Sequence, residues 1–302
     1  MTELEITEKL KEVSNQENKN NISKLITTEN KLEKIYDKTS TKIANVAMTK
    51  DASLADISNL TGEMVVIKDN LDKVTTDIIR KEIDRNIKAG LESVKAQITV
   101  FKDILPSDIV NAEISATVFN QAYMDAYYAM QTLKDGILLS DKIWDITNIS
   151  LEEIRVYMME VMLDENTSMA EVYQQIKSFL KLPDVDMRTK YWKQFFKTHP
   201  PGKGVYRSAW KNVLRVLRTE TNRAFRLGTI KYAKDRTWVQ GIKWELSAAH
   251  PRMDICNDIA ADDLEGLGAG VYSPANVPIM PHPQCICYLR LIPNYDLLGI
   301  TL

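Results

Sequence analysis

W-V-Q-G-I-K-W-E-L-S-A-A-H-P-R-M-D-I-C-N-D-I-A (Trp238 to Ala260), a glycine-rich loop, and V-Y-S-P-A-N-V-P-I-M-P-H-P-Q-C-I-C-Y-L-R-L-I-P (Val271 to Pro293) together hold all three cysteines and two of the three histidines. Ile242, Trp244 and Leu246 alternate with Lys243, Glu245 and Ser247, which is the period of a strand. Ile286, Tyr288 and Ile292 mark a second strand, and pairing the two brings His250 towards Cys285. Each half joins a histidine to a cysteine, as His250-x5-Cys256 and His282-x2-Cys285. Soft ligands in two short clusters are what a tetrahedral zinc site uses. The expected ligands of one structural zinc ion are His250, Cys256, His282 and Cys285. Cys287 is the alternative to Cys285, because positions i and i+2 share one face of a regular strand. Two plainer readings stand beside zinc: buried thiols packed as small hydrophobes, or a Cys256–Cys285 disulfide. The glycine-rich loop has no helix behind it, so it is not expected to cradle phosphate.

Immediately upstream lies a basic segment. Met187 to Arg236 carries fourteen Lys and Arg against Glu220 and Asp235, a net +12 inside a chain of net charge -2, which leaves -14 for the rest. Such asymmetry predicts a polyanionic or acidic partner, or packing against the protein's own acidic regions. A loop at His199-Pro200-Pro201-Gly202 splits the segment into two helices. On the second, Val213, Leu217, Ala224 and Leu227 form an apolar side, and Arg215, Arg218, Arg223 and Arg226 are the candidate contacts to DNA or a protein partner. Glu220 reads as a clamp on Arg223 or Arg218 rather than a catalytic base.

The remainder predicts helices. Ile22, Leu25, Leu32, Tyr36, Ile43 and Val46 form a heptad seam interrupted by Glu29 and Thr39, and residues before Asn21 read as frayed. A cleaner seam runs through Ile57, Leu60, Met64, Ile67, Leu71, Val74 and Ile78, and Ile87 to Leu105 resumes it after a stutter. Gly62 and Gly90 argue against unbroken helices. The seams fit a coiled-coil arm that docks on a partner and equally a hairpin over the protein's own core. Pro106 stops one helix, and Ser107 or Asp108 starts another that runs to about Leu133. Trp144 falls in a linker, Ser150 caps a helix from Leu151 to Leu163, and a further helix spans Ser168 to Leu180. The expected fold is mainly α: long coiled-coil-like N-terminal helices (1–105), then a domain (106–302) with a helical middle and a small α+β C-terminal lobe built on a short antiparallel sheet. Within 302 residues there is no run of about 20 apolar residues, no signal peptide, and no phosphate-binding, G-x-S-x-G or H-E-x-x-H motif. Neither a membrane nor a small-molecule substrate is expected, and three cysteines suit a reducing cytoplasm better than a disulfide framework.

R-T-E-T-N-R-A (Arg218 to Ala224), the spacing Trp238-x5-Trp244, H-P-R-x-D-I-C (His250 to Cys256), G-x-G-V-Y-x-P (Gly268 to Pro274) and P-H-P-x-C-x-C (Pro281 to Cys287) occur in this order. The series resembles the C-terminal part of phage minor head proteins of the Mu F type, the head morphogenesis proteins, over Tyr206 to Pro293. The resemblance implies a low-copy virion component in the capsid interior or at the portal vertex, made in the host cytoplasm. It would act with portal and head proteins in head assembly, packaging of double-stranded DNA or its delivery. Some relatives carry an enzyme after this module; none is expected after Pro293 here. Many relatives have a C-x-x-C block where this chain has His250 and Cys256. Two other classes remain in view: a zinc-dependent enzyme acting on nucleic acid, with Asp254 or Glu245 as base, and a nonspecific DNA-binding module.

Overall fold

The computed structural model describes residues 2–48, 54–133, 136–161, 168–180, 208–250 and 253–298. The chain is mainly helical with a small sheet, as expected. Its elements are α1 (Glu3–Ala47), α2 (Leu54–Thr99), a 3-10 turn (Val100–Asp103), α3 (Ser107–Glu113), α4 (Ala116–Ala129), α5 (Leu139–Val161), α6 (Met169–Phe179), α7 (Ala209–Ala233), β1 (Val239–Glu245), α8 (Ile255–Ala261), β2 (Val271–Tyr272) and β3 (Tyr288–Pro293). The loop at 199–202 and the first of the two basic helices lie outside the described residues.

By contacts the chain forms two compact units. One comprises Met1–Ile26, Lys81–Thr132 and Arg218–Leu302; the other comprises Thr27–Arg80 and Leu133–Leu217. The boundary expected at 105/106 coincides with neither, because α1, α2 and α7 each supply residues to both. Helices of 45 and 46 residues carry more apolar face than one small core can cover.

In the first unit, α1 begins at Glu3 rather than fraying before Asn21. Ile6 and Leu10 are buried there. Thr2 and Glu5 also cap each other: the Thr2 amide donates to Glu5 Oε2 (2.7 Å) and the Glu5 amide to Thr2 Oγ1 (3.3 Å). The helix expected from 107 to 133 is two, α3 and α4, separated where Ser115 is extended (ψ 149°). α2 crosses α7 at two glycines: a Cβ on Gly90 would lie 2.0 Å from the Phe225 carbonyl oxygen, and one on Gly228 would lie 2.6 Å from that of Ile87. The sheet has order β2-β1-β3, all antiparallel, with Trp244 opposite Leu289 and Glu245 opposite Tyr288. This is the expected pairing of the two sequence-read strands. The outer edge of β3 is covered by α2, since the Leu291 amide donates to Gln97 Oε1 at 2.8 Å.

In the second unit, the seam of α1 is buried at Leu32, Tyr36 and Ile43, and Tyr36 lies against Trp210 with ring centroids 5.3 Å apart. On α2 the buried line differs from the expected one. Met64 and Leu71 are buried but Ile67, Val74 and Ile78 are only half-buried, and the interior is completed by Lys68, Asp72, Thr75 and Ile79. The side chains of Ile57 and Leu60 lie outside the described set. Charge is admitted because it is paired: Lys68 Nζ meets Asp72 Oδ2 at 2.7 Å, and Thr147 Oγ1 donates to Asp72 Oδ1 at 2.6 Å. Burial raises the Asp72 carboxyl above the ordinary range. Thr147 sits inside α5, which begins at Leu139 and so includes Trp144 and Ser150. Ser150 is not a cap, because Leu139, Ile143, Thr147, Ser150 and Ile154 make one continuous buried stripe.

Ile67 lines a groove with Lys38 and Lys42. Ile67→Asp should therefore leave the protein folded and cost about 1 kcal/mol or less, since the new carboxylate meets two ammonium groups rather than a closed core. Thermal unfolding followed by circular dichroism checks this. A helical signal already lost at room temperature would place Ile67 in the core.

Candidate metal centre

Two local structures deliver the sulfur atoms. The first is the start of α8. Asp254 accepts a 2.7 Å bond from the Cys256 amide, and Asn257 Oδ1 accepts a 3.0 Å bond from the Asp254 amide. This reciprocal cap fixes the first turn and buries Cys256 (0% exposed). The second is the turn before β3, where Gln284 adopts φ +60°, unusual for a residue with a side chain. α7 holds it there: the Gln284 amide donates to Thr219 Oγ1 (3.1 Å), and Arg218 Nη1 donates to Gln284 Oε1 (3.2 Å). The turn aims Cys285 and Cys287 inward, and both are buried.

The sulfurs of Cys256, Cys285 and Cys287 all lie within 4.8 Å of one another. Cys287 thus joins Cys285 instead of replacing it. Cys256 Sγ is 3.5 Å from Cys285 Sγ and 3.1 Å from His282 Nε2. His250 Nδ1 lies 3.8 Å from Cys287 Sγ, so His250 reaches the cluster beside Cys287 rather than Cys285. Asp254 forms a second group with Cys256 and His282, its Oδ2 lying 3.3 Å from His282 Nε2. All three cysteines are free, and 3.5 Å is far outside an S–S bond of about 2.05 Å.

Both imidazoles turn a ring nitrogen towards the sulfurs. His282 Nδ1 is 2.9 Å from the Pro283 carbonyl, which can only accept, so Nδ1 carries a proton, and Nε2 faces Cys256 Sγ and Asp254 Oδ2. His250 Nε2 is 3.0 Å from Asn257 Oδ1, and its Nδ1 faces Cys287. A ring nitrogen fixed by a carbonyl while the other faces the ligand set is the usual arrangement of metal-binding histidines.

Single pairs in the donor set have the spacing of the edges of a tetrahedral site. Zn–S bonds of about 2.3 Å imply S···S edges of about 3.8 Å, with S···N edges slightly shorter. The Cys256–Cys285 (3.5 Å), Cys256–His282 (3.1 Å) and Cys287–His250 (3.8 Å) pairs are close to those edges. Two groups of three share Cys256: the three sulfurs, and Cys256 with His282 and Asp254. The cluster is thus a group that can bind a metal.

Charge is distributed unevenly over it. A hydrogen bond from the Cys287 thiol, and behind it the Arg226 guanidinium, hold the Cys285 thiol down at about 5 against the opposing effect of burial. Cys256 is pushed up by burial and by the Cys285 charge, and Cys287 by its bond to Cys285. Burial opposes ionisation of Asp254, but the Cys256 amide and the two imidazoles outweigh it and hold the carboxyl below its ordinary range.

The four candidate contact arginines meet different fates. Arg226 is fully buried, so it is withdrawn as a DNA or partner contact; the physical reason is the cysteine turn, whose carbonyls claim its guanidinium. Arg223 bonds to Glu220 Oε2 (3.0 Å) and to the carbonyls of Ala129 and Thr132, with Glu220 acting as the expected clamp. Arg218 holds Gln284, and Arg215, in the other unit, is half-buried. Among the described residues α7 is thus an interior helix, not an exposed basic face. Glu245 is engaged by Arg290 Nε at 2.8 Å. The sequence reading missed Arg226 as a neighbour of the cluster, and it missed Asp254 as a cap, which its place two residues before Cys256 does signal. Among the described residues no helix is long and apolar enough to cross a membrane. Comparison with known family models, with curated proteins and with solved structures finds no match for this chain.

Proposed function

We propose that the chain is a minor structural head protein of a tailed bacteriophage or prophage, of the Mu F type, whose C-terminal lobe is pinned by a structural zinc ion. It acts without catalysis, beside portal and head proteins, in head assembly, packaging of double-stranded DNA or DNA delivery. Its place is the capsid interior or portal vertex, after synthesis in the host cytoplasm.

One observation carries the reading: the motifs that resemble that family serve one another. Arg218 and Thr219 of R-T-E-T-N-R-A anchor Gln284 of P-H-P-Q-C-I-C. Asp254 of the His250 block caps the turn that presents Cys256. In G-x-G-V-Y-x-P, a Cβ on Gly270 would meet the Ala260 carbonyl oxygen at 2.6 Å, and Tyr272 donates to the Ile259 carbonyl at 2.8 Å. Motif residues spent on mutual support belong to a scaffold. Zinc held by Cys256, Cys285, Cys287 and His282 would supply folding free energy, whereas the enzyme alternative needs a coordination position left open to water. The test is mass spectrometry of heads purified from the phage or induced prophage that encodes the chain. Its peptides should appear at a small fraction of the major capsid protein's abundance. Peptides abundant in the lysate but missing from purified heads would overturn the proposal. Duplex DNA binding that falls steeply with salt, without entry into heads, would favour the DNA-binding module.

A further inference from the structure

A buried cation of the first unit is Arg226. Its side chain is 0% exposed, and among the described residues no carboxylate pairs with it. Its guanidinium donates to the Cys285 carbonyl (3.1 Å), the Cys287 carbonyl (2.6 and 3.1 Å), the Ile279 carbonyl (2.9 Å) and Met280 Sδ (2.9 Å). It also reaches Cys285 Sγ at 2.9 Å and lies 4.8 Å from the centre of the Trp244 ring. Carbonyls and a ring face solvate a cation but do not neutralise it, and the Cys285 sulfur is the group in reach that can carry the opposite charge. A buried charge needs an opposite charge.

We infer that Arg226 is the counter-charge of a three-thiolate, one-imidazole metal centre. The inference rests on the zinc reading proposed above. Three thiolates and one divalent ion sum to -1, and the adjacent guanidinium brings the buried group to zero. A site of two thiolates and two imidazoles would already be neutral, and Arg226 would then be a stranded cation. Arg226 is a positioning residue: it orients the Cys285 and Cys287 carbonyls and touches one sulfur, and it is not itself a ligand.

The probe is Co2+, followed by chelator competition on the full chain. The parent should show the sulfur-to-cobalt absorption of three thiolates. Arg226→Gln, which keeps a donor but no charge, should bind about ten- to hundredfold more weakly, the usual scale for losing a partner just outside a metal's ligands. Arg226→Lys, which keeps the charge and loses the fork, should recover part of that loss. A merely structural arginine would make both substitutions equally harmful, and that result overturns the inference. So does Arg226→Gln binding cobalt as tightly as the parent. If the glutamine variant does not fold, the parent spectrum alone decides: absorption of only two thiolates overturns it. A parent that binds no cobalt or zinc at all would instead sink the zinc reading beneath it.

Discussion

Stripping the proposed zinc with a strong chelator should unfold residues 238–293. Structural zinc contributes about 10–16 kcal/mol in small zinc-folded peptides, against about 5–15 kcal/mol of total stability for an ordinary domain. The sheet has few strands, and β2 contributes only two residues, so without the ion α8 and the cysteine turn would lose the link made through Cys256, His282 and Cys285. Deuterium exchange should rise at the amides of β1 and β3, and the thermal midpoint should fall by more than 10 °C on the scale of several degrees per kcal/mol. Cys256→Ser should be the most damaging single change, since its sulfur faces both Cys285 and His282. His282→Ala should abolish metal retention, while His250→Ala should weaken it, because His282 Nε2 lies nearer its sulfur (3.1 Å) than His250 Nδ1 does (3.8 Å). Elemental analysis of protein purified without added metal decides the matter. Zinc absent from the parent, or equal in parent and His282→Ala, would sink the assignment.

Replacing Gly90 with alanine should destabilise the protein by about 3 kcal/mol or more, the upper end of what overpacking costs. In an exposed helix the same change gains about 1 kcal/mol. The sign is reversed here because the new methyl would meet the Phe225 carbonyl oxygen at 2.0 Å, and that atom is backbone, which yields only if two helices part. Gly228→Ala should behave alike, with 2.6 Å to the Ile87 carbonyl oxygen. Gly62 is the internal control. It lies in the same helix with nothing within 4 Å, so Gly62→Ala should gain about 0.5–1 kcal/mol. Chemical denaturation of the three variants compares them directly. Equal gains at Gly62 and Gly90 would refute the close crossing.

These glycines also show where sequence reading stops. Gly62 and Gly90 look identical in the chain and both argued against an unbroken helix, yet α2 runs through both. One is open to solvent and the other is an approach point for a helix more than a hundred residues away. The pairing of β1 with β3 was legible because alternation of Ile242 and Trp244 with Lys243 and Glu245 has one structural meaning. The convergence of His and Cys was legible from spacing, and the exact partners were not: Cys287 reads as a substitute for Cys285 until the φ +60° of Gln284 bends the turn so that both face Cys256. Buried charge misled most. Lys68, Asp72 and Arg226 look like surface residues; Lys68 and Asp72 pair with each other along α2, and partners distant in sequence, Thr147 for Asp72 and the cysteine turn for Arg226, help make their burial tolerable.

The discontinuity of the first unit has a consequence for the time course of synthesis. Ile6 and Leu10 are buried in a unit that also requires β3, so their apolar faces leave the ribosome long before Tyr288 to Pro293 exist to complete it. At about 5–20 residues per second the interval is roughly 15–60 s. Nascent α1 must therefore wait unfinished, open to chaperones, to aggregation or to an early partner. Capture of the proposed zinc would come last of all, since Cys285 and Cys287 emerge after every other candidate ligand. Under the zinc proposal, loading with the ion would be the step that closes folding, and a cell starved of zinc would accumulate chains that are fully made and still unlocked.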